Sequence, residues 1–139
     1  MGEDTTKHQG RRRHLIEILK DKGINDKAVL KAIGDIPRHL FMDSSFEDHA
    51  YQDKAFPIGY EQTISQPYTV AFQTELLEVK PYEKVLEVGT GSGYQAAVLV
   101  ALKAQVFTIE RQKDLYIKTK HFLTKIGYPS MFIYGDGYK

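Results

Sequence analysis

The stretch Val85-Leu86-Glu87-Val88-Gly89-Thr90-Gly91-Ser92-Gly93-Tyr94-Gln95 limits what this chain can fold into more than any other. A short β-branched and aliphatic run reaches an acidic residue, then a glycine-rich turn, and an apolar helical segment follows from Ala96 to Leu102. Strand, tight turn and helix N-terminus in succession place a nucleotide-like ligand beside the strand's carboxyl end in open α/β sheets. Glycines suit such a turn because the backbone must bend sharply and approach the ligand without Cβ atoms in the way. A strand–turn–helix that binds nothing is the alternative.

The spacing narrows the ligand. A dinucleotide fingerprint reads G-x-G-x-x-G, but Tyr94 stands where its third glycine belongs. The Gly-Lys-Ser/Thr ending of a phosphate-cradling P-loop is absent as well. Glu87-x-Gly89-x-Gly91-x-Gly93 resembles the E/D-x-G-x-G-x-G signature of S-adenosylmethionine-dependent methyltransferases. Glu110 closes the apolar stretch Gln105 to Ile109, about twenty residues on, where a carboxylate can accept hydrogen bonds from ribose hydroxyls.

Bulk properties exclude several classes. With 139 residues, 42% hydrophobic and 27% charged, the chain is one globular domain's worth. A net charge of +1 provides no strong field for nucleic acid or an acidic membrane. The basic run Arg11-Arg12-Arg13-His14 reads as a solvated helix start. Without cysteine there is neither a disulfide framework nor a thiolate metal site, and the five histidines show no ligand spacing, so no metal is expected. The apolar run Ala96 to Leu102 is too short to span a bilayer, and the polar opening Met1-Gly2-Glu3-Asp4 is unlike a secretory signal. A cytoplasmic location is expected.

Along the chain, residues 1–10 read as a flexible terminus and 11–79 as a helical segment. One helix is predicted from about Arg12 to Lys22, with Leu15, Ile16, Ile18 and Leu19 on its apolar face and Gly23 as its stop. Another runs from Asp26 to about Gly34, capped by Asn25 or Asp26, and a short turn covers Ser44 to His49. Residues 51–67 lose any period yet carry Phe56, Ile58, Tyr60 and Ile64, which suggests an ordered loop over a pocket. A helix from Pro67 to Val79 is expected to turn Phe72, Leu76 and Val79 to one side. From residue 80 strands alternate with helices: Lys84–Val88, Gln105–Glu110 and Met131–Tyr134 around helices 94–102 and 112–126. That pattern indicates right-handed crossovers and a parallel sheet.

Several blocks together resemble the protein-L-isoaspartate (D-aspartate) O-methyltransferase family. They are Gly23-Ile24 through Pro37-Arg38-His39-Leu40-Phe41, Ala50-Tyr51-Gln52-Asp53, Pro57-Ile58-Gly59, Gln62-Thr63-Ile64-Ser65-Gln66-Pro67-Tyr68, the glycine turn, and Gly135-Asp136-Gly137-Tyr138. The block around Ser65 makes the resemblance specific; the glycine turn alone says only methyltransferase.

The resemblance implies an α/β, Rossmann-like fold in 80–139, and methyl transfer from S-adenosylmethionine to the α-carboxylate of L-isoaspartyl residues in damaged proteins. A carboxylate with an ordinary pKa near ~4 is already ionised at neutral pH, so no general base is required. Alignment of the reacting atoms and exclusion of water should then dominate. The resemblance puts Ser65 at the catalytic position, its hydroxyl orienting the substrate oxygen; a helix cap before Pro67 is the competing role. It makes Ile58, Gly59 and Thr63 walls of the substrate groove, although Ile58 reads nearly as well as loop packing. It gives the cofactor the turn Glu87, Gly89, Thr90, Gly91, Ser92 and Gly93, with Glu110 on the ribose and Asp136 and Gly137 near the adenine; Asp136 between glycines also reads as a plain turn.

The sequence ends at Lys139, right after the third strand, where the family continues. An N-terminal portion with an unpaired edge along Val85–Val88, open to self-association, is the expectation. The competing functions are a methyltransferase for another small substrate and a catalytically silent module.

Overall fold

The computed structural model describes residues 3–137; Met1, Gly2, Tyr138 and Lys139, the ends of two blocks used above, lie outside it. Helix α1 (Thr6–Asp21) begins where a loose terminus was expected. Thr5 and His8 form a reciprocal capping box, each side chain bonded to the other's backbone amide, so two orphan donors are satisfied at once. The helix ends as Gly23 was expected to end it: Gly23 takes φ +101°, and Ile24 N–H donates to the Leu19 carbonyl at 3.1 Å. Leu15 and Leu19 are fully buried, and α1 packs on α2 (Lys27–Asp35), which Asp26 caps through Ala28 and Val29.

Arg12 corrects the reading of the basic run. It sits within α1, 5% exposed, paired with Asp4 at 2.8 Å and donating to the Gly34 carbonyl at 2.7 Å and the Tyr51 hydroxyl at 2.8 Å. Arg13 is exposed and Arg11 half-buried beside Asp48, so Arg12 alone of the three leaves the solvated place expected for the run.

Two 3-10 turns, Arg38–Phe41 and Ser44–His49, lead into the segment read as irregular. It holds an antiparallel hairpin instead: β1 (Phe56–Gly59) pairs with β2 (Gln62–Ile64). Tyr60 and Glu61 both take positive φ, 55° and 57°, the requirement of a type I′ turn. Neither residue type advertises that turn, which is why the period was lost there. Helix α3 (Pro67–Leu77) starts at the expected proline but buries Pro67, Val70, Ala71 and Thr74. Phe72 and Leu76, expected together on one side, lie on the exposed side at 45% and 66%, because α3 presents its small side chains to α1 and α2.

β3 (Lys84–Val88), β4 (Gln105–Glu110) and β5 (Met131–Tyr134) form a parallel sheet in that order, joined through α4 (Tyr94–Ala101) and α5 (Lys113–Lys125). This is the expected α/β, Rossmann-like architecture, preceded by the helical segment. Val85 pairs with Val106 and Glu87 with Thr108, so one set of alternate residues lies toward the helices. The opposite set, Leu86 (61%), Val88 (64%) and Met131 (60%), is exposed, and β3 is an edge strand among the described residues. One apolar core runs from Leu15 in α1 through Ile64 and Val98 to Leu123 in α5, so the helical segment and the sheet are packed as one body. No helix among the described residues is long and apolar enough to cross a membrane.

Candidate active site

The glycine turn at the carboxyl end of β3 is held from four sides. Gly89 and Thr90 donate their amides to the Ile109 carbonyl at 2.8 and 3.1 Å, which ties the turn to β4. Gly91 N–H donates to Glu110 Oε1 at 3.0 Å, and the Thr119 hydroxyl of α5 donates to the Gly91 carbonyl at 2.8 Å. The Ser92 hydroxyl accepts the Tyr94 amide proton at 3.2 Å, at the start of α4. Gly93, at φ +86°, is where the close approach lies: a Cβ there would stand 2.8 Å from Thr119 Cγ2 and 2.9 Å from Leu123 Cδ1. The third glycine therefore lets α4 and α5 come together behind the turn.

Most turn amides are engaged within the protein, so the turn is not a phosphate cradle. What it offers is carboxylate. Ionised Glu87 accepts the Thr108 hydroxyl proton at 2.7 Å, and Thr108 then accepts from Thr90 at 2.6 Å. The Thr90 side chain is thus buried toward the sheet. Burial pushes Glu87 up to about 7, and the like charge of Glu110 acts in the same direction. Glu110 is buried, with Oε1 on Gly91 and Oε2 accepting the Gln112 amide at 2.9 Å.

At the end of the sheet a crevice of about 230 Å³ brings Glu110, Asp136 and Gly137 together with Val88, Ile109 and Arg111. The loop after β5 reaches it because Gly135 N–H donates to the Glu110 carbonyl at 2.9 Å. Gly137 runs hard against β3; a Cβ there would stand 2.6 Å from Val88 Cγ1. Gln62 of the hairpin lines this crevice and also the next one, an aspect the sequence reading missed.

That second crevice, about 110 Å³, sets Thr63 and Ser65 across from Glu87 and from Gly89 to Ser92. Ser65 is exposed. It is not the cap of α3: Gln66 holds that position and no side chain caps the helix. The loop is anchored by residues that were not singled out. Arg38 donates to the Ser65 carbonyl at 3.0 Å, and Asp53 accepts the Tyr68 amide at 2.8 Å and the Gln66 side chain at 3.1 Å. Asp53 also binds Lys22 of α1's end, and these donors hold its carboxyl below the usual range against the effect of burial. An arginine between Ile36 and Leu40-Phe41 was the available signal: a cation in an apolar run needs buried acceptors.

Ile58 and Gly59 part company with Thr63. They line a groove of about 670 Å³ between the 3-10 turns and α5, which meets the smaller crevice at Ser92. Ile58 also packs against the core, in keeping with its competing reading as loop packing.

Away from this site, Asp4, His8 and His39 gather with ligand-type atoms within 4.8 Å of one another, which sequence spacing did not suggest. Their atoms already have protein partners: Asp4 on Arg12, His8 on Thr5 and Glu47, His39 on Tyr51 and the Glu3 carbonyl. Burial keeps His39 below the usual imidazole range.

Known proteins resolve the family. Residues 10–139 match the profile of the protein-L-isoaspartate(D-aspartate) O-methyltransferase (PCMT) family. Protein-L-isoaspartate O-methyltransferase of Christiangramia forsetii is 70% identical over 138 residues, covering 99% of this chain and 65% of that protein. The protein of the same name from Flavobacterium psychrophilum is 62% identical over the same shares. A solved protein-L-isoaspartate O-methyltransferase superposes with TM-score 0.82 at 32% identity, over 91% of this chain and 43% of the other. A putative enzyme of this kind from Plasmodium falciparum, solved with S-adenosyl-L-homocysteine, gives 0.74 at 26% identity, over 92% and 64%. The chain belongs to the protein-L-isoaspartate(D-aspartate) O-methyltransferase family. It spans about two thirds of the length of these curated relatives, at 65%.

Proposed function

We propose that this chain, as a member of that family, binds S-adenosylmethionine along the glycine turn and serves methylation of the α-carboxylate of L-isoaspartyl residues in damaged proteins. The observation that carries this reading is the crevice in which Ser65 and Thr63 face Glu87 and the turn from Gly89 to Ser92. Carboxylates at the turn and at the sheet end, with few free amides between them, suit a cationic nucleoside lacking phosphate better than a nucleotide. Glu110 and Asp136 are the acceptors for its hydroxyls and adenine amine, and Val88 and Ile109 give apolar contact.

When bound, the sulfonium supplies an already activated methyl group. The protein's part is orientation and exclusion of water. The Ser65 hydroxyl, exposed to the crevice and free of a capping role, donates to one carboxylate oxygen of the substrate. Ile58 and Gly59 receive the neighbouring part of the polypeptide in the adjoining groove. The nearby Glu87 repels a substrate carboxylate when ionised, so binding of the cation comes first in this scheme.

Calorimetric titration with S-adenosylhomocysteine, followed by labelled-methyl transfer to isoaspartyl and aspartyl forms of one peptide, tests the reading. Transfer to both forms alike would favour a methyltransferase of another substrate, and no binding of S-adenosylhomocysteine would overturn the proposal. Self-association through the outer edge of β3 is a further part of the reading, supported by the exposure of Leu86 and Val88. Sedimentation of the chain over a range of concentrations tests it. A cytoplasmic site of action is a further part of the reading, and cell fractionation tests it.

A further inference from the structure

Arg38, which anchors the Ser65 loop, is one of the most buried side chains, 0% exposed. Among the described residues its guanidinium has no carboxylate in hydrogen-bond contact; Asp53 acts on it only at longer range. Instead Nε donates to the Ala50 carbonyl at 2.9 Å, and Nη2 donates to the Lys54 carbonyl at 3.1 Å and the Ser65 carbonyl at 3.0 Å. These acceptors flank the β1–β2 hairpin: Ala50 at the end of the preceding 3-10 turn, Lys54 at its entry and Ser65 at its exit. The guanidinium carbon lies 4.8 Å from the ring centroid of Tyr94, the first residue of α4 after Gly93. A single planar cation therefore touches both the Ser65 loop and the base of the glycine turn.

We propose that Arg38 is a positioning residue for the methyl transfer, setting the place of Ser65 relative to the glycine turn. This rests on the function proposed above. The hairpin and its flanks are seated on the core through Tyr51, Ile58 and Ile64, but their backbone is weakly tied. The hairpin is short, its register shifts between Pro57 and Gly59, and its turn uses two left-handed non-glycine residues. Asp53 fixes the stretch just after Ser65, through Gln66 and Tyr68, but among the described residues Arg38 alone bonds the Ser65 carbonyl. The fork of the guanidinium is what lets one side chain serve carbonyls on both flanks. Lysine keeps the charge but concentrates its donors on one atom, and glutamine keeps a planar donor without the charge or the reach.

The test compares the chain with Arg38→Lys and Arg38→Gln by amide hydrogen exchange, S-adenosylhomocysteine calorimetry and labelled-methyl transfer to an isoaspartyl peptide. Protection of amides 54–66 is expected to fall about tenfold or more while α4 and β4 keep theirs, because the loss is local. S-adenosylhomocysteine affinity is expected to change little, and the transfer rate to fall about a hundredfold, as for an ångström-scale misplacement. Unchanged exchange and transfer would overturn the proposal. So would loss of protection across the whole chain in both variants, which would mark Arg38 as a support of the fold alone. If the unsubstituted chain neither binds S-adenosylhomocysteine nor transfers methyl, the proposed function falls; selective loss of protection at 54–66 would then still establish the clamp, without a reaction to position for.

Discussion

Glu110 Oε1 accepts the Gly91 amide proton at 3.0 Å, so the carboxyl end of β4 holds the glycine turn that follows β3. The same carboxylate bonds Gln112 before α5, and one buried side chain thus joins two βα turns at the place where the ligand is proposed to lie.

Glu110→Ala should therefore loosen both turns. Two backbone amides lose a charged acceptor, which costs about 2–4 kcal/mol by the usual worth of such bonds. Urea unfolding should report that loss, and calorimetry should show S-adenosylhomocysteine affinity reduced by more than about tenfold, since a proposed ribose acceptor goes as well.

Glu87 makes stability depend on pH in a direction opposite to ordinary acid denaturation. Its pKa is pushed up to about 7 from the usual 4.5, so the fold favours the protonated form. The contribution is whole below about pH 4.5 and is lost as pH rises through about 7. Urea midpoints compared from pH 5 to pH 8 for the chain and for Glu87→Gln should show this component only in the former. A cation bound beside Glu87 would draw its pKa down, so ligand binding near pH 6.5 should release protons, visible as a buffer-dependent heat.

Gly93→Ala should be among the most damaging small substitutions. The added methyl meets Thr119 and Leu123 below 3.0 Å, and the backbone holds φ +86°. Overpacking and left-handed strain together are expected to cost about 2–4 kcal/mol, read from the denaturant midpoint.

Ser65→Ala should separate chemistry from folding. The residue is exposed and caps nothing, so its unfolding free energy should stay within about 0.5 kcal/mol. Methyl transfer should fall by about ten- to a hundredfold, the worth of one hydrogen bond to a charged oxygen. S-adenosylhomocysteine binding should be unaffected.

Much of this architecture was legible in advance because its causes are local. Gly23 stops α1 by adopting the left-handed cap, Asp26 caps α2, and Pro67 opens α3, each where the residue's own chemistry placed it. The three parallel strands were readable from short apolar runs ended by turns. The hairpin within 51–67 was not, since Tyr60 and Glu61 take positive φ without the residue types that announce it.

The candidate site divides in the same way. By itself, the sequence determined the spacing of the glycine turn, the carboxylates Glu87 and Glu110 and the block around Ser65, because these depend on residue type and short separation. Only the tertiary structure decided that Thr90 turns inward, that α3 buries Ala71 and not Phe72, that Arg12 lies buried against Asp4, and that Arg38 holds the Ser65 carbonyl. Those outcomes depend on which surfaces meet across long stretches of chain, and burial is a property of the pair in contact, not of either residue alone.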